Sequence, residues 1–189
     1  MLASRSPRRL ELARREGWRV RVVEPPEAAE AEAAPRGPTE PLEAYVRRLA
    51  AAKAAAVAAT GVGGTILACD TLSEVDGATL GKPADRADAR RMLLALSGRR
   101  HRVVTGVCLW AAPAAPVLAD CESLLAMDPL SEEFVAWYLD SGLWRGKAGA
   151  CGYQDERLPL RLVAGSESNV VGLPLELVRR MLADLDAAG

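Results

Sequence analysis

The chain has 189 residues and a mass of 20.1 kDa, which suits one domain that builds its own core without stapling disulfides or metals. Its 24 Lys and Arg residues nearly balance 25 Asp and Glu residues, which argues against an extended nucleic-acid surface or a basic membrane-binding patch. Hydrophobic residues make up 50% and charged residues 26% of the chain, which excludes gross disorder.

The first elements alternate between helix and strand. Ser6 and Pro7 predict the start of a helix that ends near Gly17. Alternation of apolar residues with arginine over 18–22 predicts a half-exposed strand. The acidic, Ala- and Pro-rich stretch 24–38 predicts a mobile loop.

The middle of the chain repeats this alternation. Residues 39–60 predict an Ala-rich helix, capped by a threonine and ended by glycines. The apolar run 65–72 predicts a buried strand that delivers polar groups at its carboxyl end. Asp76 and Gly77 are typical of a hairpin turn, and 85–96 predict a further helix.

The remaining elements complete an α/β pattern. Strands are predicted over 101–111, 121–127 and 160–163, loops over 142–155 and 165–172, and helices from Ser131 and over 174–188. Strands that alternate with helices predict an α/β fold with flanking helices. The hairpin requires antiparallel neighbours, so the sheet is predicted to be mixed.

The cysteines and the apolar segments bear on the compartment. The four cysteines have spacings that match no zinc or redox motif, and no signal peptide is recognised, so we expect reduced thiols in the cytoplasm. The longest uncharged run, 103–119, contains two prolines and falls short of the roughly 20 apolar residues of a membrane helix. The sequence thus predicts a cytoplasmic protein with no membrane partner.

Lysine is rare in this chain. Arginine occurs 21 times, whereas lysine occurs three times, as Lys53, Lys82 and Lys147. Lysine is a compact point charge and arginine a planar fork, so each lysine marks a candidate position where arginine cannot substitute. Together with Arg8, the three lysines would suit a polyphosphate; for any single lysine, a surface position is the simpler interpretation.

Two further segments carry candidate chemistry. Ser4 to Arg9 bring two hydroxyls and several guanidiniums to a predicted helix start, which favours a phosphate site; the alternative is a helix cap with solvated arginines. Asp70 follows the predicted buried strand, which suits metal binding or base chemistry; the alternative is an Asx turn. Cys69 and His101 are interpreted as structural.

Seven sequence blocks resemble a known family along the whole chain. They are Leu-Ala-Ser-Arg-Ser-Pro-Arg-Arg (2–9), Tyr-Val-Arg-Arg-Leu-Ala-Ala-Ala-Lys-Ala (45–54), Cys-Asp-Thr (69–71), Leu-Gly-Lys-Pro (80–83), Leu-Ser-Gly-Arg-Arg-His-Arg-Val-Val-Thr-Gly-Val (96–107), Gly-Lys-Ala-Gly-Ala-Cys-Gly-Tyr-Gln (146–154) and Asn-Val-Val-Gly-Leu-Pro-Leu (169–175). Their order and content resemble the Maf (septum-formation-inhibitor-like) nucleoside triphosphate pyrophosphatases.

The resemblance implies an architecture and an activity. It implies a single domain over 1–189 with two lobes around a central cleft, related to the inosine triphosphatase-like enzymes. It implies hydrolysis of a nucleoside triphosphate to the monophosphate and pyrophosphate with a divalent cation, Mg²⁺ or Mn²⁺. A homodimer is a family expectation, and no stable nucleic-acid complex is expected.

The resemblance also implies roles for single residues. Asp70 matches the general base, Lys53 and Lys82 match further catalytic positions, and Ser4 matches a substrate-binding position. Asp70 and Glu27 are the implied metal ligands, with Glu30 as the alternative to Glu27.

The specificity positions resemble those of one branch of the family. Arg8, Thr71 and Gln154 match the branch that acts on dTTP and UTP. Tyr153 and Asp155 flank Gln154 where Ile and Gly are commoner, which affects the expected shape of the base pocket. The alternatives are a nucleotide-binding regulator of cell division without turnover and an inosine or xanthosine triphosphatase.

Overall fold

The computed structural model describes residues 1–26, 29 and 34–187. The strands are β1 (Leu2–Ala3), β2 (Ile66–Val75), β3 (Ala78–Leu80), β4 (Arg100–Trp110), β5 (Val117–Met127) and β6 (Leu160–Ala164). The described helices are α1 (Pro7–Arg15), α2 (Leu42–Ala58), α3 (Arg86–Leu96), α4 (Glu132–Ser141), α5 (Glu167–Val171) and α6 (Leu175–Ala187). Ala148–Ala150 form a 3-10 turn.

A six-stranded sheet contains both strand directions. Its strands follow the order β1-β2-β4-β5-β6, and β3 pairs with β2 beside this path. β1 runs parallel to β2, whereas β3 is antiparallel to β2 and β6 is antiparallel to β5. The predicted α/β class with a mixed sheet is therefore confirmed. Asp76 and Gly77 form the predicted hairpin turn, with φ angles of 49° and 78° as a type I′ turn requires.

The chain divides into two compact units, and the first consists of 1–70, 105–121 and 172–189. Its part of β2 is covered on both faces. Leu67 and Cys69 pack in one apolar cluster with α6, while Ile66 and Ala68 pack in another with α2. Successive side chains of a strand point to opposite faces, so this double burial explains why β2 begins as an unbroken apolar run.

Helix α2 approaches β4 very closely in this unit. A Cβ atom at Gly106 on β4 would lie 2.2 Å from the carbonyl oxygen of Val46 on α2, so only glycine fits there. On the face of α2 that meets the sheet, Ala50 and Ala54 are fully buried. Small side chains on both elements thus permit the close approach.

The second unit consists of 71–104 and 122–171 and has its own core. Residues of α3 and α4 dominate this core, among them Leu93, Leu96, Val135 and Tyr138. Both helices form where they were predicted, and both begin at side-chain caps. The Asp85 carboxylate accepts a hydrogen bond from the Asp88 N–H at 2.8 Å, and the Ser131 hydroxyl caps α4 in the same way.

Outside β2, three element predictions are wrong. Residues 18–22 do not form a strand; Val22 makes only an isolated bridge to Leu2, because β1 offers just two residues for pairing. Helix α2 is capped at Pro41 rather than at a threonine two residues earlier. The predicted loop 165–172 contains α5, a short polar helix without apolar periodicity. A further prediction, the loop over 24–38, lies partly outside the described residues.

Asn169 explains why α5 forms at this place. Its side-chain amide is fully buried and donates to the carbonyl of Val103 at 3.1 Å and to the hydroxyl of Ser123 at 2.9 Å. These partners lie on β4 and β5, far from Asn169 in sequence. The helix is therefore stabilised by bonds that a local pattern does not reveal.

His101 has the structural role that the sequence predicts, and it makes stability sensitive to acid. The ring is buried, and within the described part of the chain its Nδ1 has no hydrogen-bond partner. Burial lowers the pKa of His101 from 6.5 to about 4. The neutral ring therefore stabilises the fold fully above pH 6.5, and this contribution is lost as the pH falls from 6.5 toward about 4.

We expect His101→Gln to reduce the acid sensitivity of the fold. The loss of unfolding free energy between pH 7 and pH 4 should shrink by up to about 3 kcal/mol relative to the parent, since one pKa unit corresponds to about 1.4 kcal/mol. Urea unfolding at several pH values measures this difference. Both proteins have the same carboxylates, so the contribution of these groups to the pH dependence cancels in the comparison. Equal losses in the two proteins would contradict the expectation.

The cysteines and the helix lengths bear on the expectations about compartment and membrane. All four cysteines lie in described residues, and none is joined in a disulfide. Cys69 is a core residue, as predicted, and burial raises the pKa of its thiol to about 11. In the described ranges, no helix has both the length and the apolar character that crossing a bilayer demands.

Candidate active site

A buried ion pair links α2 to β2 in the first unit. The Nζ atom of Lys53 donates a hydrogen bond to Oδ1 of Asp70, and the two residues are 4% and 7% exposed. Taking two charges out of water costs several kcal/mol per ion, on the order of what their attraction returns, so such a pair is weak evidence for a stabilising role.

The residue patterns of α2 and β2 explain why these charges meet. Lys53 lies between Ala50 and Ala54 along the face of α2 that packs on the sheet. Asp70 follows Ala68 by two residues on β2, so strand alternation places both on the α2 side. The contact therefore follows from helical and strand periodicity once α2 lies on this face.

The sequence predicts Asp70 at the carboxyl end of its strand, and this prediction is wrong. β2 continues to Val75, which leaves Asp70 and Thr71 in its middle. The polar residues after Thr71 resemble a loop in sequence, but Ser73 is buried and Glu74 bonds to Arg102 at 2.7 Å. Pairing with β3 extends the strand through them.

The segment from Ser4 to Arg9 joins β1 to α1 in the same unit. β1 pairs with β2 through Ala3 and Ala68, so its end runs beside the segment leading to Asp70. Ser4 is buried, and its hydroxyl accepts a hydrogen bond from the Ser6 N–H at 3.1 Å. Ser6 occupies the cap position of α1, but its side chain makes no capping bond.

The arginines of this segment differ in their surroundings. Arg8 lies half-buried in the first turn of α1, where backbone N–H groups favour an anion. Arg9 donates from Nε to the carbonyl of Gly172 at 2.7 Å, which ties α1 to the segment before α6. The phosphate site predicted for Ser4 to Arg9 stays a prediction.

In the second unit, two glycine-containing loops with lysines meet. The Gly149 N–H donates to the carbonyl of Gly81 at 2.9 Å. Lys82 follows this contact and is exposed. A Cβ atom at Gly149 would lie 3.3 Å from Ser73 Oγ and from Leu96, so this turn packs tightly against β2 and α3. In the sequence, 80–83 and 146–154 are separate blocks, and neither predicts this contact.

Lys147 lies in an ion pair that the sequence analysis did not predict. Its Nζ atom is 2.5 and 2.6 Å from the two carboxylate oxygens of Asp155. Tyr138 on α4 donates its hydroxyl to the same carboxylate. Burial and this carboxylate raise the pKa of the Tyr138 phenol far above its usual value. The one signal in the sequence was that Asp155 departs from the commoner glycine.

The predicted site residues are divided between the two units. Ser4, Arg8, Lys53 and Asp70 belong to the first unit, whereas Thr71, Lys82 and Gln154 belong to the second. Gln154 is exposed in a turn and Thr71 is half-buried. Glu27 and its alternative Glu30 lie outside the described residues. The roles assigned to all of these residues stay predictions.

The described residues hold no group of three His, Cys, Asp or Glu side chains that would form a ready metal centre. The Asp70 carboxylate nevertheless suits a hard cation. Mg²⁺ prefers oxygen ligands and is usually bound through one or two carboxylates together with water and substrate phosphates. The Asp70 side chain is 11% exposed, so it is not completely sealed from solvent.

Comparison with known proteins finds one family along nearly the whole chain. Residues 1–185 match the family model described as Maf-like protein. A dTTP/UTP pyrophosphatase of Rhodopirellula baltica is 42% identical over 98% of this chain and 82% of its own length. A dTTP/UTP pyrophosphatase of Symbiobacterium thermophilum is 44% identical over 96% of this chain and 91% of its own length.

The mixed sheet and the buried lysine–carboxylate pair place the chain in the α/β class with a charged site on its sheet. The match extends over nearly the whole chain and all seven sequence blocks. The chain belongs to the Maf-like protein family.

Proposed function

We propose that the chain is a nucleoside triphosphate pyrophosphatase that hydrolyses dTTP and UTP to the monophosphate and pyrophosphate. The observation that carries the proposal is the buried contact between Lys53 and Asp70, in a chain that belongs to the Maf-like family. Relatives named as dTTP/UTP pyrophosphatases support the choice of substrates. Arg8, Thr71 and Gln154, which resemble the specificity positions of that branch, support it as well.

Asp70 orients the attacking water and takes its proton. Lys53 occupies Oδ1 of the carboxylate, which leaves Oδ2 as the atom that accepts the proton. The ion pair fixes the rotamer of Asp70, so the carboxylate needs little reorganisation as the water attacks the α-phosphorus. The β–γ pyrophosphate then leaves with the bonding electron pair of the broken phosphoanhydride.

The cations of the chain surround the phosphates in this proposal. Lys53, Lys82 and Arg8 offset the charge that develops on the leaving pyrophosphate, an electrostatic contribution. Ser4 and the first turn of α1 bind phosphate oxygens. Thr71 and Gln154 bond to the edge of the base, and a wrong base leaves these groups without partners.

Asp70, together with Glu27, would hold a divalent cation, Mg²⁺ or Mn²⁺. The chemistry that such an ion supplies is neutralisation of the phosphate charge and activation of water. The two roles of Asp70 compete for the same carboxylate. Chelation of divalent ions should therefore abolish turnover.

A panel of nucleoside triphosphates tests the proposed function. Pyrophosphate release is measured with Mg²⁺ for canonical nucleotides, for inosine and xanthosine triphosphates and for modified pyrimidine nucleotides. We expect dTTP and UTP to have the highest kcat/KM. No turnover of any nucleotide would overturn the proposal in favour of a nucleotide-binding regulator, and preference for inosine triphosphate would favour the purine-directed alternative.

We expect Lys82→Arg to impair turnover although it preserves the charge. The planar guanidinium cannot replace a compact ammonium in the short loop between β3 and α3. The expected loss in kcat/KM for dTTP is about tenfold, below the 10²–10³-fold typical of removing a charge-stabilising donor.

Arg86→Lys provides the matched control for this exchange. Arg86 is an exposed residue at the start of α3 and pairs with Asp140 at 2.8 Å. The reverse exchange there should leave kcat/KM unchanged. An unchanged kcat/KM in Lys82→Arg would defeat the argument from rare lysines.

A further inference from the structure

The residue proposed to contact the base lies at the tip of a hydrogen-bonded turn. The Asp155 N–H donates to the carbonyl of Gly152 at 3.0 Å, which closes a four-residue β-turn. Tyr153 and Gln154 are its two central residues, and Gln154 is exposed. The backbone position of Gln154 is therefore set by this turn.

The Asp155 carboxylate stabilises the turn through several hydrogen bonds. It accepts a second bond across the turn, from the Gly152 N–H at 3.2 Å. It also bonds to Lys147 Nζ through both oxygens and to the Tyr138 hydroxyl. Its side chain is 10% exposed and that of Lys147 is 12% exposed. One carboxylate thus connects the turn to α4 and to the loop that bears Lys147.

The backbone around this carboxylate has little freedom. A Cβ atom at Gly152 would lie 2.8 Å from Lys147 Nζ and 3.0 Å from Asp155 Oδ2. Ala150 is fully buried with a φ of 60°, a left-handed conformation that is costly for alanine. Such conformations persist where the surrounding contacts over-determine them, and they cluster at binding sites.

We propose that Asp155 is a positioning residue for substrate specificity, which clamps the turn 152–155 so that the amide of Gln154 is held ready for the thymine or uracil base of dTTP or UTP. The inference rests on the proposed function. A prearranged amide loses less conformational entropy when it binds the base, so the clamp favours the base that the amide fits. A buried ion pair adds little net stability to a loop, which leaves this orienting effect as its main consequence.

The test compares Asp155→Asn, Gln154→Ala and the double variant. The asparagine retains an acceptor for the Gly152 N–H but loses the charge that pairs with Lys147. The ratio of kcat/KM for dTTP to that for dCTP should fall about tenfold in Asp155→Asn, mainly through a higher KM for dTTP. The double variant should be no less selective than Gln154→Ala, because Asp155 acts through Gln154.

Asp128→Asn is the matched control. Asp128 also lies in the second unit and pairs with Arg161 at 3.9 Å, so the same exchange there should leave the ratio unchanged. An unchanged ratio in Asp155→Asn, or additive losses in the double variant, would overturn the inference while the proposed function stands.

Amide hydrogen exchange measures local opening of the turn 152–155 and does not depend on turnover. The Gly152 and Asp155 amides should exchange at least tenfold faster in Asp155→Asn than in the parent, at equal global stability. Unchanged protection would overturn the inference. Should the parent hydrolyse no nucleotide, the proposed function fails, and the exchange data alone decide whether Asp155 clamps the turn.

Discussion

Asp70→Asn is expected to lower kcat/KM for dTTP by about 10²–10⁴-fold, the usual contribution of a general base. The asparagine oxygen still accepts the hydrogen bond from Lys53, but it cannot take a proton from water. Pyrophosphate release under steady-state conditions measures the loss. Binding of dTTP to the variant should persist, because the phosphate-binding cations are unchanged.

The control for this variant separates chemistry from stability. Asp70→Asn leaves the buried ammonium of Lys53 without its counter-charge, so the free energy of unfolding must be measured alongside turnover. Asp120→Asn is the matched exchange, since Asp120 pairs with Arg47 in the same unit and has no proposed role. It should turn over dTTP normally. Normal turnover in folded Asp70→Asn would remove Asp70 as the base.

Gly106→Ala is expected to destabilise the protein by about 3 kcal/mol or more, at the upper end of overpacking effects. The new Cβ atom would lie 2.2 Å from the Val46 carbonyl oxygen, and a backbone atom cannot rotate away as a side chain does. α2 must therefore move off β4. Because α2 carries Lys53, the contact with Asp70 should be disturbed and turnover should fall with stability.

Urea unfolding and dTTP turnover together measure the effect of Gly106→Ala. Gly63→Ala is the control, since its Cβ atom would meet nothing within 4 Å and its φ is not in the left-handed region. This variant should match the parent in both measurements. A Gly106→Ala protein as stable as the parent would contradict the close packing of α2 on β4.

The elements that were predicted well are those with local signals. α3 and α4 begin at Asp85 and Ser131, whose side chains accept bonds from N–H groups three residues later. The Asp76-Gly77 turn likewise needs only its own two residues to specify a hairpin. Each signal lies within a few residues of the structure it predicts.

The wrong predictions concern elements that depend on distant partners. β2 continues beyond Thr71 because β3 pairs with it, and α5 forms around the buried amide of Asn169. Residues 18–22 have a strand-like pattern, but the two-residue β1 gives them almost nothing to pair with. Periodicity reveals what a segment prefers, not whether a partner is present.

The same contrast between local and distant signals applies to the candidate site. The sequence blocks identified Lys53 and Asp70 singly, but their contact requires α2 to lie on one chosen face of β2. Asp155 was visible only as a departure from the family pattern. Its bonds to Lys147 and Tyr138 join three parts of the chain, and no spacing rule predicts them.

A crystal structure of Asp70→Asn with dTTP and Mg²⁺ would show directly whether the proposed residues bind the nucleotide. We expect the α-phosphate beside residue 70, a phosphate oxygen within hydrogen-bond distance of Lys53 Nζ, and Arg8 and Lys82 around the same triphosphate. A nucleotide bound elsewhere, with no phosphate near Lys53 or residue 70, would contradict the proposed site and the mechanism built on it.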